Sequence, residues 1–260
     1  VVKIIICGRT GDMVIHEYGN IEAEKILVLH PMLLTGAFAA KLFAPLSDRY
    51  CIIAPDLSAH GQASSSEFVS AENEAAQILC YLKEKGYTDI ALTFGISLGA
   101  RVALELLKDD DIHWKCIVLD GAPVYKNARF LRFVYTAVFL SKWKKARKCK
   151  GFAQKKMTAL FGEAGEVMGS TFESMGEKSL RNIIAACSRF DFYPYPKDVQ
   201  QRMYFEFGSK EIDARQAKTI LRRYPFVHIA LHKGYGHCQY MAAEKKAYLA
   251  MLEERMKRKV

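Results

Sequence analysis

The sequence has no apolar run near the roughly 18 residues that a bilayer crossing needs, no internal repeat and no low-complexity stretch. Spanning helices, solenoids and disordered tracts are thereby excluded, and 50% hydrophobic with 25% charged residues is the balance of a globular protein. The seven cysteines form no C-x-x-C pair, and their number is odd. That offers neither a disulfide frame nor a zinc site, and predicts reduced thiols in a cytoplasmic protein. The opening VVKIIICGRTGDM lacks an h-region followed by a small-residue cleavage site, so it reads as a first strand over 2–7. Acid is scarce in one region: between Gly121 and Gln200 there are 15 Lys/Arg against 6 Asp/Glu, nearly all of the formal charge of +10. Such an excess suits nucleic acid, anionic lipid or an anionic substrate. No nucleic-acid module accompanies it, which argues against the first.

What is present is an alternation. KILVLH (25–30), YCIIAPD (50–56), DIALTFG (89–95) and KCIVLD (115–120) are compact apolar runs that read as strands. Between them SAENEAAQILCYLKEKG (70–86) reads as a helix. Ser70 can cap it, Glu72 and Glu74 suit its positive end, and Ala75, Ile78, Leu79 and Leu82 share a face. Lys83 and Lys85 suit its last turn, and Gly86 can end it. A further helix is expected from Leu98 to Lys108. Strands buried on both faces and separated by helices imply a parallel sheet. From about Tyr125 to Arg189 the rhythm stops, and several basic helices are expected, with breaks at Gly151, Gly162, Gly165, Gly169 and Gly176. It resumes with strand RMYFEFG (202–208), helix DARQAKTILRRY (213–224), strand FVHIALH (226–232) and one closing helix over 238–259. The simplest organisation is one α/β core, 1–122 and 200–260, with a helical cap inserted at 123–199 after the sixth strand.

Within this frame GISLG (95–99) places Ser97 between a strand and a helix. A nucleophile at such a turn is lifted above the sheet edge, and the amide of Leu98 at the helix N-terminus favours an oxyanion. A capping serine is the plain alternative. A phosphate loop would show more glycines or a Lys-Ser/Thr pair, and neither is present. A serine needs a base, and His237 in KGYGHCQY, between the last strand and the last helix, is the best placed of seven histidines. The orienting acid should follow RMYFEFG: Glu211 is favoured, Asp213 doubles as a helix cap, and Asp120 in DGAP is a third candidate. The loop LVLHPMLLTG leaves its strand where a second oxyanion donor should sit, with the amide of Met32 as the candidate. APDLSAHGQAS leaves the next strand, with Pro55 and Gly61 fixing its path.

Taken together LVLHPM, APDLSAHGQAS, GISLG, FGSKE and GYGH resemble, in order and spacing, the α/β-hydrolase family. The resemblance covers about residues 2–122 and 200–260. It implies an eight-stranded, mostly parallel sheet under a helical cap, and a serine–acid–histidine triad of Ser97, Glu211 and His237. It also implies hydrolysis of a small-molecule ester, thioester or related bond with no cofactor and no metal. The chain departs from the family pattern at Pro31, where His-Gly is more usual, at Ala59, where PDLxGHG has glycine, and at Glu211, where aspartate is commoner. An acyltransferase on the same residues and a non-catalytic hydrolase-like binding protein are the competing readings. FLRFVYTAVFLSKWKKARKCK (130–150) admits three roles: a lid in weak contact with a membrane surface, a cationic mouth for anionic substrates, or a cap helix packed on the core with its lysines in water. An unperturbed histidine base predicts activity that declines below about pH 6.5.

Overall fold

The structure, a computed structural model, describes residues 2–8, 11–149 and 151–258. Eight strands follow one another across the sheet: β1 (Val2–Gly8), β2 (Gly11–Gly19), β3 (Glu24–Leu29), β4 (Tyr50–Asp56), β5 (Asp89–Ile96), β6 (Ile117–Asp120), β7 (Met203–Gly208) and β8 (His228–His232). Their spatial order is β1-β2-β4-β3-β5-β6-β7-β8, and a two-residue strand, His113–Trp114, pairs with the start of β5. β2 runs antiparallel to β1 and β4, and every other pairing is parallel. The expected α/β-hydrolase sheet is therefore the one that forms.

β2 is the strand that apolar runs do not announce. Its His16 and Glu17 are buried, satisfied by Asp56 at 3.0 Å and by the hydroxyls of Tyr81 and Tyr87 at 2.5 and 2.9 Å. Polar groups can be buried in a sheet when they find such partners, and these lie 40 to 70 residues away.

Period-two alternation sorts the core onto two faces. Leu27 and Leu29 of β3 face one cluster, with α2 (Ala71–Glu84) and α3 (Leu98–Leu106) over them. Ile26 and Val28 face the other, covered by α1 (Gly36–Ala40) and the C-terminal helices. The helix α2 starts as its sequence indicates: the Ser70 hydroxyl accepts from the Asn73 amide at 3.2 Å. Glu74, in the first turn as its place at the positive end suggests, is fully buried and accepts from the Ser58 amide at 2.8 Å.

The connection from β6 to β7 is helical: α4 (Arg129–Lys148), α5 (Phe152–Ser174), α6 (Glu177–Ser188) and α7 (Lys197–Gln201). Gly151 and Gly176 stand at helix starts and Gly162 breaks α5 with φ 57° and ψ −133°, as the glycine pattern suggests. Gly165 and Gly169 are not breaks. They let the two arms of α5 close on each other, since a β-carbon at Gly165 would lie 2.0 Å from the Met157 carbonyl oxygen and one at Gly169 2.2 Å from the Gln154 Cα.

Beyond β7, Asp213 opens a short 3₁₀ turn, Asp213–Gln216, before α8 (Ala217–Arg223), so the expected continuous helix is shorter. The closing helix is divided into α9 (Gln239–Ala243) and α10 (Lys245–Lys257), because Glu244 between them has φ −114° and ψ 46°. No helix among the described residues is long and apolar enough to cross a membrane.

Candidate active site

β5 ends and α3 begins with one residue between them, Ser97, held at φ 52° and ψ −109°. A left-handed φ costs a non-glycine residue roughly 1–2 kcal/mol, so the turn must be held from outside. The Ser97 amide donates to the Asp120 carbonyl at the end of β6, 2.8 Å away. On either side only glycine fits: a β-carbon at Gly95 would lie 2.6 Å from the Ala100 Cα, and one at Gly99 2.1 Å from the Leu29 carbonyl oxygen. The Ser97 hydroxyl caps nothing, which removes the capping alternative.

The loop after β8 returns His237 over this turn. Its Nε2 lies 3.0 Å from the Ser97 Oγ, and its Nδ1 2.5 Å from the Glu211 Oε2. Nδ1 donates to the carboxylate, which leaves Nε2 free to accept from the serine hydroxyl. Glu211 is buried and oriented by the Gly208 amide, which donates to Oε1 at 2.7 Å. Burial opposes a charge on His237, but the Glu211 hydrogen bond and charge, with Asp213 and Asp120 behind them, outweigh it and raise the imidazole pKa above its usual value.

The other two acids hold different places. Asp213 Oδ2 is 3.6 Å from His237 Nδ1, too far for a hydrogen bond, and burial raises its pKa against the lowering influence of Tyr125 and His237. Asp120 accepts from the Tyr248 hydroxyl at 2.6 Å, and burial pushes it up to about 6. Of the three candidate acids, then, Glu211 is the one bonded to the imidazole. Glu211, Asp213 and His237 also bring three ligating atoms within 4.8 Å of one another. Both carboxylates meet the Nδ1 edge of the ring, where Glu211 already takes the proton, an arrangement suited to proton handling more than to a cation.

The loop after β3 carries Met32. His30 pins it: Nδ1 donates to the Pro31 carbonyl at 2.8 Å and Nε2 accepts from the Leu57 amide at 3.0 Å. Burial lowers its pKa, which keeps the ring neutral for both roles. Asp56 braces the same region by accepting from the Gly36 and Gln62 amides, each at 2.8 Å. The amides of Met32 and Leu98 donate to no other described residue. His60, beside His30 with ring centroids 4.9 Å apart, is buried to a pKa of about 3 and serves as neutral packing.

The family model for the alpha/beta hydrolase fold matches residues 25–160, more than half of the chain. The chain belongs to the α/β-hydrolase family. Among solved structures it is similar to a bromoperoxidase from Bacillus anthracis (TM-score 0.75, 16% identity, 99% of this chain and 100% of that one). It is also similar to an esterase from Rhodococcus sp. (TM-score 0.72, 17% identity, 98% of each chain). A third likeness is to an esterase from Exiguobacterium antarcticum (TM-score 0.74, 14% identity, 99% of this chain and 100% of that one). At these identities the likeness is one of fold. No curated protein matches the chain in sequence.

For an α/β hydrolase, one of the departures noted in its sequence has a visible consequence. Ala59 adopts φ 67° while fully buried, a conformation that the glycine more usual there would take without strain. At Pro31 the main-chain carbonyl takes the His30 bond, as that of any residue there could, and Leu33 follows at φ 72°. Sequence reading missed Gly121 and Tyr125. The one signal for Gly121 is its place in DGAP, which equally suits an ordinary turn. Nothing in the sequence marks Tyr125 as a neighbour of Asp213.

Proposed function

We propose that this α/β hydrolase is a serine hydrolase that cleaves a carboxylic ester or thioester through an acyl-enzyme. The observation that carries the reading is the unbroken chain of contacts from Ser97 Oγ through His237 to Glu211. His237 Nε2 takes the hydroxyl proton as Oγ attacks the carbonyl carbon. The Leu98 and Met32 amides receive the oxyanion, each worth about 3–4 kcal/mol in comparable sites. Glu211 keeps the Nδ1 tautomer and stabilises the imidazolium, which then protonates the leaving alcohol or thiol. Water, deprotonated by His237, attacks the acyl carbon and Ser97 leaves with its proton restored.

In this reading residues 1–122 and 200–260 are the catalytic core and 123–199 a cap that selects the substrate. A groove of about 420 Å³ between core and cap is lined by Thr35, Ser64, Gln154, Glu166, Ser170 and Thr171 among others, and neither Ser97 nor His237 lines it. An acyltransferase would use the same residues, and differs only in which nucleophile reaches the acyl-enzyme.

The test is a panel of chromogenic esters and thioesters, with polar and apolar alcohols, run on the wild type and on Ser97→Ala. Turnover is expected from the wild type, and loss of at least about a thousandfold from the variant with an unchanged melting curve. A fluorophosphonate should add its mass to the Ser97 peptide. Equal turnover by the variant would remove the assignment, and transfer to added alcohol in preference to water would reassign the protein as a transferase.

A further inference from the structure

Between Asp120 and Glu163 the chain has no acidic residue and 11 Lys or Arg. Much of this stretch is α4, which turns only one side inward. Phe139, Leu140, Trp143 and Ala146 lie on that side: Phe139 packs edge-on against Phe172, and the Trp143 indole donates to the Met175 carbonyl at 2.8 Å. The exposed side carries Phe130, Ala137, Val138, Ser141, Lys144, Lys145 and Lys148, with Phe133 at its edge one heptad before Leu140 and the Lys145 ammonium 5.0 Å from the Phe152 ring centroid. Phe130 is 81% exposed and Phe133 73%, the two most exposed large apolar side chains among the described residues. All three lysines are exposed, and no carboxylate among the described residues pairs with any of them.

A solvated helix face ordinarily intersperses cations with carboxylates. Here an apolar end and a basic end share one face. We propose that this face of α4 is a docking surface for an anionic lipid bilayer, with the phenyl rings in the headgroup boundary and the lysines over headgroup phosphates. Charge complementarity selects this occupant. A second copy would set two acid-free basic faces against each other, and a nucleic-acid duplex would leave the phenyl rings without an apolar contact. No helix among the described residues is long and apolar enough to span, so the proposed contact is with the bilayer surface. The inference goes beyond the hydrolase reading and does not rest on it.

Flotation of the full chain with phosphatidylcholine vesicles, with and without phosphatidylserine, tests it. The protein should float with the anionic vesicles, less so as salt rises, and remain behind with phosphatidylcholine alone. The triple variant K144A/K145A/K148A should bind on the order of a hundredfold more weakly, at about fivefold per charge near the surface. F130S/F133S should lose at least about tenfold. Melting curves confirm that both variants fold, and Ser97→Ala should float like the wild type, which separates this result from the fate of the hydrolase reading. Failure to float with anionic vesicles, or flotation indifferent to both variants, would overturn the proposal. So would tighter binding to single-stranded RNA than to vesicles at equal salt, or a dimer in sedimentation that F130S/F133S dissolves.

Discussion

His237 rests against the bare Cα of Gly121: a β-carbon there would lie 2.5 Å from the imidazole Cε1 and 2.8 Å from Nδ1. Gly121 also has φ 60°, and its amide donates to the Glu206 carbonyl at 2.8 Å, so the backbone cannot retreat freely. Gly121→Ala must therefore move the ring. An ångström of displacement at a catalytic group costs on the order of a hundredfold in rate. We expect kcat for ester hydrolysis to fall by about that factor while KM changes little, measured by steady-state kinetics beside a melting curve.

Glu211 and Asp213 should separate clearly by mutation. Glu211→Gln removes the charge that holds the Nδ1 proton, and a loss of up to about ten-thousandfold in kcat is expected when the tautomer is no longer enforced. Asp213→Asn removes a neighbour at 3.6 Å that makes no hydrogen bond to the ring, and should cost less than about tenfold. The reverse ranking would show that the base takes its orientation from Asp213.

The pH profile follows from the same groups. The sequence suggested an unperturbed midpoint near 6.5, but the carboxylates around His237 hold its pKa higher. Since Nε2 must be free to accept the proton, kcat/KM should fall as pH drops through a midpoint above the usual histidine value. Asp213→Asn, with one negative charge fewer, should move that midpoint down. A profile flat across this region would argue against His237 as the base.

Buried Glu74 gives a stability test apart from catalysis. Burial pushes its carboxyl up to about 7 from 4.5, and its Oε1 has no hydrogen-bond partner. A group whose folded pKa is raised favours the fold while protonated and loses that contribution as pH rises through the folded value. The wild type should lose on the order of 1–3 kcal/mol from this group between about pH 4.5 and 7. Glu74→Gln does not titrate, so its stability relative to wild type should improve over that window. Chemical denaturation at several pH values would show whether the two curves converge or run parallel.

Ala59 at φ 67° carries the strain of a left-handed residue, roughly 1–2 kcal/mol. Ala59→Gly relieves it but adds about 0.5–1 kcal/mol of freedom to the unfolded chain. A net gain of about 0.5–1 kcal/mol is expected, seen as a rise in melting temperature of a few degrees. A lower melting temperature would mean that the buried methyl outweighs the strain.

Much of this protein was legible because its signals are local. Apolar runs became β3, β4, β5, β6, β7 and β8, Ser70 capped α2, and the glycines around Ser97 marked a turn whose neighbours must pack within van der Waals reach. Backbone sterics and side-chain period act over a few residues, so the order of amino acids alone determines them. What tertiary structure decided is pairing at a distance. In β2, beside the buried Met13, Val14 and Ile15, the buried His16 and Glu17 are satisfied only by Asp56, Tyr81 and Tyr87 from other segments. The choice of Glu211 over Asp213 and Asp120 rests on which carboxylate reaches His237 Nδ1, and Tyr248 takes Asp120 out of contention from 128 residues away. Such choices depend on desolvation and hydrogen-bond geometry, which only exist once separate segments have come together.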